Sequence, residues 1–135
     1  MITADFELTK AEADIIYVAV RLHALYSNVI DDVESQITFE QSMIELYEPL
    51  QQVKHSKASS IQLTEYTAKH VLYSLQNLRY AGSTLHHIID ETKFNEMCEP
   101  VKKLIHKLMR ILYVNNIFEI KLYDQTDEQL GDESL

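Results

Sequence analysis

At 135 residues the chain has the length of a single domain and enough substance to bury a core without staples. Two glycines and two prolines disfavour a turn-rich β fold, and one cysteine, Cys98, rules out an internal disulfide and fits a reducing compartment. A net charge of −9 argues against general affinity for nucleic acid, and no apolar run approaches the roughly eighteen residues of a membrane span. The opening "MITADFELTK" lacks the basic and apolar regions of a secretory signal, so a cytoplasmic protein is expected. The charge is uneven. Residues 1–53 carry −8, residues 54–118 carry +4 with five of the six histidines, and residues 119–135 carry −5.

In chain order, "ITADFEL" (2–8) alternates apolar and polar residues, which is a strand pattern. Thr9 and Glu12 have the spacing of a capping box, with Leu8 placed as a hydrophobic staple. They open a helix whose apolar residues, Ile15, Ala19, Leu22, Tyr26, Val29 and Val33, recur at steps of three and four. Thr38 with Gln41 repeats the cap signal before a second stripe of Phe39, Met43, Leu46, Leu50 and Val53. "HSKASS" (55–60) reads as a loop. Thr64 caps a third helix with Ala68, Val71, Leu75, Leu78, Gly82, Leu85 and Ile89, and a fourth carries Phe94, Met97, Val101, Leu104, Leu108 and Ile111. Pro49 and Pro100 are each expected to start or kink a helix. "FEIKLYD" (118–124) alternates like 2–8, and "QTDEQLGDESL" (125–135) is acidic and expected to be disordered.

The fold these patterns predict is all-α: an antiparallel four-helix bundle within a single domain, 1–124. Hairpin 9–53 joins hairpin 64–114 through linker 54–63, followed by an arm at 115–124 that can pair with the N-terminus as a short two-stranded ribbon. The hairpins read as a degenerate duplication. "LTKAEADIIYVAV" (8–20) matches "LTEYTAKHVLYSL" (63–75), and "MIELYEPLQQV" (43–53) matches "FNEMCEPVKKL" (94–104).

Tyr66, Tyr73 and Tyr80 recur every seventh residue, with His87 continuing the series. Each lies two residues before a core position, so helical geometry puts the tyrosines on the outer face, beside Gln76 and Asn77. Such a face suits a protein partner, because a tyrosine ring buries much area for few lost rotamers. The competing expectation is that a terminal arm covers the rings. Lys102, Lys103, His106, Lys107 and Arg110 form a basic face on the fourth helix, suited to phosphate, nucleic acid or an acidic protein surface. Asp31, Asp32 and Glu34 form an acidic cluster that can compete for a basic site on a target, or dock the basic face of a second copy. His86 with Asp90, and His87 with Glu91, have helical spacing for metal ligation, which would serve a hydrolase of nucleotide-like substrates. No phosphate-cradling glycine loop, nucleophile elbow or paired-cysteine motif is present. The favoured expectation is therefore a non-catalytic, cofactor-free interaction module of the regulator, antitoxin, adaptor or phage-inhibitor type. Its partner is another protein, and it forms a homodimer or larger homo-oligomer. A metal-assisted hydrolase and a nucleic-acid or nucleotide binder are the alternatives.

Overall fold

The computed structural model describes residues 2–26, 33–80 and 91–120, which form four α-helices and a small two-stranded antiparallel sheet. Strand β1 (Ala4–Glu7) turns Ala4 and Phe6 inward and Asp5 and Glu7 outward, as a two-residue period requires. Helix α1 (Lys10–Tyr26) starts at the expected capping box. The Thr9 amide donates to Glu12 Oε1 at 2.9 Å, and the Glu12 amide donates to Thr9 Oγ1 at 3.1 Å. Helix α2 (Val33–His55) buries Phe39, Met43, Leu46, Leu50 and Val53 along one stripe.

Strand β2 (Ser60–Leu63) leads into helix α3 (Glu65–Tyr80), where Thr64 and Thr67 reproduce the reciprocal cap of α1. Helix α4 (Glu91–Met109) ends in a π-helical turn, Arg110–Val114, closed by the Asn115 amide donating to the Arg110 carbonyl at 2.8 Å. Asn116 then takes a positive φ of 44°, a conformation asparagine tolerates better than most residues, and the helical turn at 117–120 drops Phe118 into the core.

One apolar cluster joins these elements. Helix α1 packs on both α2 and α3, and α3 packs on α4. Phe6, Phe39, Ile16, Leu50, Leu63 and Leu75 are among its fully buried side chains, each contributing about 1.5–3 kcal/mol by leaving water. None of the described helices is long and apolar enough to cross a membrane.

Two expectations change, the ribbon's partner and the cap at Thr38, and others are refined. The ribbon exists, but β1 pairs with β2 from the segment read as linker, in the register Ala4↔Leu63 and Phe6↔Ile61. The C-terminal arm is not its partner: 117–120 is helical, and residues 121–124 lie outside the described residues. Only four residues long, β2 hides its alternation between a loop-like stretch and a helix cap. Thr38 is not an N-cap, because α2 begins at Val33 and the Thr38 hydroxyl donates back to the Glu34 carbonyl at 3.0 Å. Pro49 and Pro100, expected to start or kink a helix, lie inside α2 and α4, so neither starts one. The fourth helix is α-helical only to Met109 and finishes to 114 as the π-helical turn.

Candidate functional site

The outer face of α3 carries a ring cluster built from three helices. Tyr66 and Tyr73 are 39% and 44% exposed, and both contact the ring of His70, one helical turn from each, with centroids at 4.4 and 5.9 Å. His70 is half-buried, because Phe39 of α2 meets its other side at 4.9 Å. His23 of α1 packs edge-on against Phe39 at 5.2 Å, and the Asn77 amide nitrogen donates to His23 Nδ1 at 2.8 Å. Gln76 is half-buried and Asn77 exposed.

Burial lowers the His70 pKa below the usual histidine value, and its Nδ1 is enclosed without a hydrogen-bond partner among the described residues. Burial lowers that of His23 as well, with the proximity of His70 acting in the same direction. Both shifts favour the uncharged imidazole, and of the two rings His70 is the one that lies against the tyrosines. Burial also raises the pKa of the Tyr66 hydroxyl. The side chains of Tyr80 and Glu91, and residues Asp31, Asp32, His86, His87 and Asp90, lie outside what the structure describes.

The basic face of α4 divides. Lys102, Lys103, His106 and Arg110 are exposed, and Lys102 stands 4.0 Å from Glu99. Lys107 instead turns toward the ribbon, where its ammonium lies 4.5 Å from the centre of the Phe6 ring and donates to the Glu7 carbonyl. Beside these cations Met109, Tyr113 and Val114 are exposed, an apolar patch that the core periodicity does not reveal. Glu34 is exposed in the first turn of α2. Among the described residues no group of three histidine, cysteine or carboxylate side chains is placed to hold a metal ion.

Two adjoining hollows lie between α2 and the start of α3. The larger, about 800 Å³, is lined by Thr38, Ser42 and Glu45 of α2, by Thr64–Thr67, and by Asn116, Phe118 and Glu119. The smaller, about 440 Å³, continues along α2 from Glu45 to Gln52 against β2. Sequence periodicity could reveal neither, since a groove depends on the spacing between elements. His70, Phe39 and His23 were hidden for the same reason: they lie 16 to 47 positions apart along the chain, and only helix packing joins them. No family model, curated protein or solved structure matches the chain.

Proposed function

We propose that the chain is a non-catalytic interaction module, a small acidic regulator or inhibitor that acts by occupying the surface of a partner protein. The observation that carries this reading is the pair Tyr66 and Tyr73, exposed on one helical face and braced by His70 between them. A ring held from behind loses little freedom on binding, and its hydroxyl tolerates a wet rim. Glu45 and Glu65, which line one hollow with Tyr66, support an acidic contribution to the same contact. A second copy of the chain is the alternative occupant.

The test is comparative capture from lysate with wild type and a Tyr66→Ser, Tyr73→Ser variant whose melting temperatures agree. A protein held by wild type and lost by the variant is the expected result. Identical captures overturn the reading. Sedimentation of both proteins reads self-association in the same experiment.

The finer architecture belongs to the same proposal: an antiparallel bundle of two related hairpins, each preceded by a strand. An offset of 55 residues maps Leu8 to Leu63, Thr9 to Thr64, Ala13 to Ala68, Ile16 to Val71 and Val20 to Leu75. All the apolar members of these pairs are buried. Phe6 and Ile61 are equivalent by that offset and are also direct partners across the ribbon, as an approximate twofold axis through that pair requires.

A further inference from the structure

The ribbon has two outer edges, and they are treated differently. The Leu8 amide donates to the Ser59 carbonyl at 2.8 Å, in register with the Ala4↔Leu63 and Phe6↔Ile61 pairs. Hydrogen-bonded and non-hydrogen-bonded pairs alternate in an antiparallel ladder. The backbone groups of Asp5 and Glu7 therefore point away from β2, and those of Ser60 and Gln62 point away from β1. On the β1 side the Lys107 ammonium takes the Glu7 carbonyl, a common way to blunt a strand edge. On the β2 side, among the described residues, no group donates to or accepts from the backbone of Ser60 or Gln62 beyond the ladder.

That open edge faces a groove. The hollow of about 440 Å³ is lined by inward-facing Ile61 together with outward-facing Ser60 and Gln62, which only an edge-on groove permits, and α2 supplies its far wall through Glu45, Glu48 and Pro49. Among the described residues its lining holds two carboxylates and no basic side chain, and the adjoining hollow adds Glu65 and Glu119.

We infer that the β2 edge is a docking site for an extended, basic segment of a partner protein, which adds as a third strand beside Ser60–Leu63 with its cations against Glu45 and Glu48. Main-chain hydrogen bonds to Ser60 and Gln62 supply the binding, and the acid wall supplies the preference for lysine or arginine. Self-pairing of two β2 edges would bring two copies of the acidic groove together in a chain of net charge −9, so a second copy is the disfavoured occupant. The inference goes beyond the tyrosine-face reading and stands if that reading fails.

The test is fluorescence anisotropy with a labelled short peptide alternating lysine and valine, against the full chain. Saturable, salt-sensitive binding is expected, weakened roughly tenfold or more when alternate peptide amides are N-methylated. Ser60→Pro removes an outward amide without touching the ladder and weakens the parent peptide similarly. Glu45→Lys with Glu48→Lys abolishes binding, whereas Tyr73→Ser leaves it unchanged. Should Ser60→Pro fail to fold, the N-methylated peptide on wild type gives the same reading. The inference is overturned by no saturable binding, by equal affinity for the N-methylated peptide, or by equal affinity for a glutamate–valine peptide. It is also overturned if wild type sediments as a dimer that Ser60→Pro converts to monomer.

Discussion

Helices α1 and α3, which the proposed duplication makes counterparts, both start at a threonine cap and bury one apolar stripe, yet differ where each meets the other hairpin's second helix. The 55-residue offset places Tyr66, His70, Tyr73 and Asn77 opposite Ala11, Ile15, Val18 and Leu22. In α1 these positions are aliphatic: Ile15 is buried, and Val18 and Leu22 pack against the core. Helix α1 also packs directly on α4, whereas among the described residues α3 reaches α2 at few points, one of them the Phe39–His70 ring contact. One junction is lined by aliphatic side chains; the other carries tyrosine rings, an imidazole whose Nδ1 has no hydrogen-bond partner among the described residues, and a groove beside it. Aliphatic residues would pack the second junction as they pack the first, and its polar aromatic side chains instead suit the partner contact proposed for this face.

The comparison breaks first at the axis. Phe6, 2% exposed and overlain by Lys107, is shared by both halves, and Phe6→Ala is expected to cost about 3–5 kcal/mol in urea unfolding. A loss below about 1 kcal/mol would mean that the ribbon is peripheral.

Making the second junction resemble the first sharpens the contrast. His70→Ile installs the residue of α1 and removes a buried, unpartnered nitrogen, so it should stabilise by roughly 1 kcal/mol at pH 7. It should also flatten the acid side of the stability profile. Because folding lowers the His70 and His23 pKa values, the unfolded chain binds more protons as pH falls. Their contribution is therefore complete above the unfolded value near 6.5 and is lost as pH drops through 6.5 toward the lower folded values. Thermal melts from pH 8 to pH 5 read the difference, and a variant with the wild-type slope would remove His70 from the account.

The smallest effect tests the equivalence of the halves. Thr9→Ala and Thr64→Ala each remove one side of a reciprocal cap and should each cost about 1 kcal/mol. Thr64 also contacts the Thr67 hydroxyl at 3.0 Å, so its loss should be the larger.

Much of the fold was legible because it is local. The Thr9 box, the buried stripe of α2 and the strand character of 4–7 each follow from residues a few positions apart. Thr38 misled because the same threonine side chain caps a helix or bonds back within one, and the residues that start α2 decide which. Tyr66 and Tyr73 were placed outward by periodicity alone. What lies behind and beside them was not, since Phe39 approaches His70 from another helix.

The sequence by itself determined the helices, their apolar faces, one strand and the candidate side chains, because periodicity and capping act within a turn or two of backbone. Only the tertiary structure decided which strand β1 meets, that Lys107 takes the Glu7 carbonyl on one ribbon edge while the other faces a groove with carboxylates in its wall, and that His70 sits beneath the tyrosines. Those outcomes depend on how far apart packed elements stand, and that distance is set by the summed volumes of side chains drawn from the whole chain.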